Sequence, residues 1–254
     1  MPYKYFLFLI IYFVVSQISA QNHNTIDLNI SYKSAYLKDV NFSPLNYSHS
    51  GLLYGFDYKK EKKKKRFIVS VDYYNSMLKT DASTLFESDL TIVNFKASYQ
   101  WAVNTKNQRM HLYLGGELHT NVNYINYNDK DAYSFLAAYS LNLKPSIIYN
   151  FNDKYSICTS ISIPLITLLV QPPYNGFDEQ LEENEDKPLK LLTDGDITLP
   201  NKYFSFNWNV KYTFKISKKI SPFVKYQFNY QQASKSHSFK QVINQVTLGL
   251  NYKF

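Results

Sequence analysis

His111, Glu117 and His119 occupy odd positions of one alternating segment, so on an extended strand all three side chains point to the same face. Two imidazoles and a carboxylate on one face could hold a zinc ion or move a proton. The corresponding face of other segments carries Lys96, Lys144, Lys211 and Lys225, together with Asp57 and Asp72. Opposite charges at that density in a narrow interior pair with one another, because an unpaired buried charge is costly. Lys96, His111, Glu117, His119, Lys211 and Lys225 are therefore read as one internal charge network rather than as a catalytic centre.

A second concentration of chemistry lies between 171 and 201, where Asp178, Glu179, Glu182, Glu183, Glu185 and Asp186 precede Asp194-Gly195-Asp196. Clustered carboxylates suit a hard cation such as calcium, which takes several oxygen ligands. The spacing is not that of an EF-hand, so Asp194 and Asp196 stand as metal candidates beside the simpler reading of a solvated loop. The chain contains no G-x-S-x-G or H-E-x-x-H pattern, which removes the commonest hydrolase and zinc-protease signatures. No cofactor is expected, and catalytic residues are not assigned. The basic run from Lys59 to Arg66 reads as a solvated turn, so a nucleic-acid partner is not expected despite a net charge of +8. Cys158 is the single cysteine, which rules out an intramolecular disulfide; it reads as a small packed side chain.

The elements that must position these residues are strands. Phe204, Phe206, Trp208, Val210, Tyr212, Phe214 and Ile216 interleave with Ser205, Asn207, Asn209, Lys211, Thr213 and Lys215, giving one apolar face and one polar face. The same period marks ten segments, near 25–37, 50–59, 66–78, 88–103, 109–124, 132–150, 155–170, 202–216, 221–233 and 239–254. Several exceed ten residues, whereas soluble strands run to about five or six and a tilted membrane strand needs roughly nine to eleven. Joints after even-numbered segments are mostly tight, as in Asn152-Asp153-Lys154 and Ser217-Lys218-Lys219, while those after odd-numbered segments vary in length. Pro145 and Pro164 interrupt the sixth and seventh segments, because proline removes a ladder donor. We take the seventh strand to end at Ile163, leaving Pro164 to Tyr174 as an apolar start to the long loop; a bulge with those residues facing lipid is the competing reading.

At the N-terminus, Lys4, an apolar run from Tyr5 to Val15 and the exit Ser16-Gln17-Ile18-Ser19-Ala20 have the layout of a secretory signal peptide, with cleavage expected after Ala20. Residues 21–254 are then expected to form one domain. At the other end, Leu248, Leu250, Tyr252 and the final Phe254 share one face of an alternating strand. On these features the chain resembles the bacterial outer-membrane β-barrel proteins, and its Lys-, Asn- and Tyr-rich composition is similar to small barrels of Bacteroidetes-type bacteria. The resemblance covers nearly all of residues 21–254 as architecture.

It implies an all-β fold, a closed antiparallel transmembrane β-barrel of about ten strands with short periplasmic turns and longer extracellular loops. It also implies that Leu248, Leu250, Tyr252 and Phe254 form the signal read by the barrel-assembly machinery, and that the outer face meets outer-membrane lipid. Tyr203, Tyr212, Trp208, Tyr226, Tyr230 and Trp101 are candidates for aromatic girdles at the membrane boundaries. The role expected is non-enzymatic binding, anchoring or assistance to export, with a protein or hydrophobic ligand at the loop 164–201. The alternative is a surface enzyme, a lipid hydrolase or omptin-like protease, using rim residues such as His49, His237, Asp81 and Asp129. A general diffusion pore is disfavoured, since about ten strands leave a lumen largely filled by side chains.

Overall fold

The computed structural model describes residues 23–40, 43–62, 64–82, 87–103, 105, 107–127, 133–171, 190, 192–234 and 238–254. The expected signal peptide, most of the acidic loop, Asp129 and His237 lie outside the described residues. Among the described residues twelve strands are formed: β1 (His23–Asp39), β2 (Tyr47–Lys62), β3 (Lys65–Leu78), β4 (Ser88–Val103), β5 (Met110–Tyr127), β6 (Tyr133–Leu143), β7 (Ser146–Asn150), β8 (Tyr155–Val170), β9 (Asp196–Thr198), β10 (Tyr203–Phe214), β11 (Ile220–Ala233) and β12 (Phe239–Lys253).

All pairings are antiparallel, and β1 closes on β12 from Thr25 opposite Lys253 to Asp39 opposite Phe239. Strands β6 and β7 both lie between β5 and β8, so they are two parts of one stave split at Lys144-Pro145. The short β9 pairs with β8 at 167–169, beyond the stretch 155–162 that pairs with β10. Ten staves therefore form a closed barrel with no open edge, and ladder bonds run round the full circumference.

The two ends of the barrel differ. At the turn end, the reversal between β7 and β8 is held by Asn152, whose Oδ1 accepts from the N–H groups of Lys154 (2.8 Å) and Tyr155 (2.9 Å). Ser217 does the same between β10 and β11, its Oγ accepting from Lys219 and Ile220. Both described ends of the chain reach this end, where Phe254 N–H donates to Asn24 C=O at 3.0 Å. The opposite end carries the longer connections and is the loop end.

Proline explains two irregularities. At Pro145 the stave breaks for two residues, yet Lys144 N–H still donates to Gly115 and Pro145 C=O accepts from Ile161. At Pro164 the strand does not stop, contrary to the expected end at Ile163. Asn142 faces Pro164 and Leu141 faces Ile166, so Leu165 is the extra residue of a bulge. Leu165 and Ile166 are both exposed, and the inward parity changes from even to odd before Thr167 and Leu169. A bulge needs no donor from the proline, which is why β8 continues to Val170.

The outward face is apolar on every stave, including Leu28 and Ile30 on β1, Phe95 on β4, Leu118 on β5 and Leu248 and Leu250 on β12. Near the turn end aromatic residues form a tier, with Tyr99 edge-on to Trp101, Tyr149 edge-on to Phe151, Tyr155 stacked on Phe214 and Tyr252 stacked on Phe254. Trp208, Tyr212, Tyr226 and Trp101 all point outward as expected of girdle residues, and Trp208 Nε1–H donates to Thr159 Oγ1 at 3.0 Å. Tyr203 is a correction. It has inward parity and is 1 % exposed, in the interior core.

Gly249 shows how tightly the inside is fitted. A Cβ there would sit 2.2 Å from the Phe223 ring, which lies across the cross-strand glycine. Gly249→Val must push Phe223 off this seat, an overpacking cost of roughly 1–3 kcal/mol. The urea midpoint of refolded barrel should fall accordingly, whereas Gly116→Val, whose nearest outside atom is 3.7 Å away, should change it little.

Candidate functional site

Inward side chains differ between the two halves of the lumen. In the loop half apolar ones predominate: Leu37, Tyr47, Leu53, Tyr74, Leu78, Leu90, Ile92, Ile125, Leu136, Ala138, Leu169, Tyr203, Ala233 and Phe239 form one buried cluster, with Leu45 packed against it, and Asp39, Ser88, Asn123, Gln231 and Gln241 are buried at the same level. The polar face read between Ser205 and Lys215 is therefore not matched by most staves near the loop end. Both faces are apolar near the loop end, and the sequence carries the signal in doublets such as Leu52-Leu53, Tyr73-Tyr74, Ile92-Val93 and Phe135-Leu136. A two-faced alternation breaks wherever a strand is buried on both sides.

Polar side chains are bonded to one another among these apolar ones. His49 Nδ1 lies 2.8 Å from the Tyr74 hydroxyl, and Gln241 Nε2 lies 3.3 Å from His49 Nε2. An amide N–H only donates, so Nε2 of His49 accepts and its Nδ1–H donates to Tyr74. Lys33, 2 % exposed, sets its ammonium 4.3 Å from the centre of the Tyr74 ring. His49 thus points into the lumen close to the loop-end start of β2.

The turn half of the lumen encloses a cavity of about 650 Å³ open toward the turn end. Its lining carries nine cationic side chains (Lys59, Arg66, Lys96, Lys144, Lys211, Lys215, Lys218, Lys225 and Lys253) against four carboxylates (Asp27, Asp57, Glu61 and Glu117), an excess of five positive charges. Three lysines are neutralised at its inner wall. Lys211 pairs with Asp27, which also accepts from Asn251 Nδ2, and Lys211 Nζ lies 3.6 Å from the centre of the Phe223 ring. Lys144 pairs with Glu117, whose second oxygen accepts from Ser162 Oγ at 2.8 Å. Lys96 meets Asp72 at 3.5 Å. Arg66 is committed to Gln100 and Ser146 and stacks over Tyr113 at 4.8 Å.

The residues expected to form one charge network are placed as follows. Lys96 and Glu117 each pair with a side chain of the neighbouring stave, Asp72 and Lys144, whereas Lys211 on β10 pairs with Asp27 on the non-adjacent β1. His119 is buried, with Nε2 3.5 Å from Asn94 Oδ1, and Asn94 also accepts from Asn121. Lys225 lines the cavity without an ion pair among the described residues. His111 shares their parity but stands exposed at the start of β5, and it does not line the cavity. No group of three His, Cys, Asp or Glu side chains placed to hold a metal occurs among the described residues. Asp194 is exposed, and Asp196 is exposed in β9 opposite Leu169. Cys158 lines the cavity, half-buried, rather than packing in a closed core. Lys59, Lys215, Lys218 and Lys253 join the site although the charge network drawn from sequence omitted them; odd, inward parity was the available signal for Lys59, Lys215 and Lys253, while Lys218 reaches the site from a turn.

No protein-family model and no curated protein matches the chain. Solved structures do. The outer membrane protease OmpT from Escherichia coli aligns with a TM-score of 0.58 at 8% identity, covering 93% of this chain and 99% of that one. The fold is that of outer-membrane β-barrels. The transport unit of the autotransporter AIDA-I from Escherichia coli (TM-score 0.47, 8% identity, covering 93% and 92%) and the translocator domain of autotransporter NalP from Neisseria meningitidis (0.46, 7%, covering 99% and 96%) align more loosely. At such identities the likeness speaks for the fold alone.

Proposed function

We propose that the chain is an integral protein of the bacterial outer membrane, exported by its signal peptide, that acts by binding at its ends rather than by conduction or catalysis. The observation that carries this reading is the pairing of a continuous apolar outer face with a lumen filled at the loop end by apolar side chains. An outer face of that kind suits hydrocarbon. A lumen so filled suits an anchor or receptor better than a pore. The turn end, with the chain ends, then faces the periplasm, and Leu248, Leu250, Tyr252 and Phe254 lie outward where assembly machinery could read them. The Lys-, Asn- and Tyr-rich composition supports a Bacteroidetes-type origin.

At the loop end, Ile197 and Leu199 leave large apolar surface exposed beside the junction of β8 and β9, which supports a protein or hydrophobic ligand as the external partner. The refolded chain is expected to show heat-modifiable migration on a detergent gel, to fractionate with outer membranes and to pass no steady current in planar bilayers. Recovery as a soluble periplasmic protein, or stable channel openings, would overturn the reading. So would a peptide or lipid hydrolysis abolished by substitution of Asp81 or Asp194 with the barrel intact.

A further inference from the structure

We propose that the turn-side lumen is a binding site for a small multivalent anion of the phosphate class, entering from the end that carries the chain termini. It stands on the cavity's own charges and goes beyond the reading of the loop end.

The charges are arranged against folding stability. Lys211 and Lys225 are direct register partners on β10 and β11, both inward. Lys59 on β2 and Lys253 on β12 are register partners of the same residue, Thr25, from its two sides. Like charges held opposite one another on a sheet destabilise it. Asp27 and Asp72 already serve Lys211 and Lys96, and Glu117 serves Lys144. Lys59, Lys215, Lys218, Lys225 and Lys253 make no ion pair among the described residues, and Asp57 and Glu61 are too few to balance them. A structural network would bring the signs toward balance; the excess of four that remains once Asp72 is counted against Lys96, in one cavity open at the turn end, favours an anionic occupant.

The shape and donors narrow the class. A cavity of about 650 Å³ falls within the range of about 300–1,000 Å³ typical of small-molecule sites. Ammonium groups act as point charges suited to phosphate oxygens, and Ser160, Ser156 and Thr213 in the lining add hydroxyl donors between them. Low-dielectric walls focus the field of such a cleft, raising the local concentration of anions. The apolar tier closes the inner end, so the ligand enters and leaves by the same mouth.

The native thiol of Cys158 reports on this directly, since it lines the cavity and is the single cysteine. In the whole chain folded in neutral detergent, its modification by anionic sulfonatoethyl methanethiosulfonate and by cationic trimethylammonioethyl methanethiosulfonate is timed, each rate being normalised to a free small thiol. The anionic reagent should be favoured by about tenfold or more at low salt, the preference should shrink at high salt, and millimolar tripolyphosphate should protect the thiol more than sodium chloride of equal ionic strength. The Lys59→Gln/Lys225→Gln/Lys253→Gln variant, checked for heat-modifiable migration, should lose most of the preference and the protection. Lys38→Gln/Lys240→Gln, at exposed positions near the loop end, should keep both. Protection by tripolyphosphate assigns a soluble phosphorylated solute, and protection only by short-chain phosphatidic acid assigns a lipid headgroup with the same chemistry. Equal normalised rates for the two reagents, or protection by neither tripolyphosphate nor phosphatidic acid beyond that of sodium chloride, overturns the proposal while leaving the membrane reading untouched.

Discussion

Replacing Asp27 with leucine is expected to destabilise the barrel by about 3–5 kcal/mol, the cost of leaving one member of a buried ion pair uncompensated. Asp27 is 2 % exposed and holds both the Lys211 ammonium and the Asn251 amide, so its loss strands a lysine already facing Lys225 across the ladder. The partner substitution sorts the cause. Asp27→Leu/Lys211→Met removes both charges, and its cost should fall well below that of the single variant because no buried charge remains. Urea titration of the refolded barrel, read by heat-modifiable migration, measures both. An Asp27→Leu barrel as stable as the parent would mean that the pair is hydrated and contributes nothing.

Emptying the loop-side tier should convert a silent barrel into a conducting one. Leu90→Ala, Tyr203→Ala and Phe239→Ala remove three fully buried side chains from β4, β10 and β12. Single truncations of this kind cost about 2–5 kcal/mol each, and neighbours in one cluster do not add simply. The closed ladder of ten staves is independent of the tier, so the variant should still insert, more weakly, with its backbone bonds intact. Planar-bilayer recording is the measurement, with step currents expected for the triple variant and none for the parent. A triple variant that inserts fully and stays silent would show that the tier is not what closes the lumen.

Strand positions were legible because one physical requirement acts on every stave. A residue facing outward must be apolar and its neighbour facing inward need not be, so the period of two appears in β4, whose observed bounds, 88–103, coincide with the sequence expectation, and in β11, observed at 220–233 against an expected 221–233. Charge near the lumen was legible for the same reason. Lys96, Glu117 and Lys211 could be assigned inward by parity alone, but parity says nothing about which carboxylate lies opposite which lysine. Those partners come from strands as distant in sequence as Asp27 and Lys211, and only closure of β1 on β12 brings them together.

Where the sequence expectation failed, a local rule met a tertiary one. Pro164 argues for a strand end if only the missing donor is counted, but β6 accommodates one extra residue and the ladder resumes. Tyr203 argues for a membrane girdle from its residue type, but its parity buries it among Leu90, Phe239 and their neighbours.

By itself the sequence determined the all-β class, the stave positions and, away from the bulge at Leu165, the alternation that sorts side chains between two faces, because alternation is a property of neighbouring residues. The tertiary structure decided that the lumen is closed at the loop end and open and cationic at the turn end. Those are sums over side chains from many staves, and a strand read singly holds only one or two members of each sum.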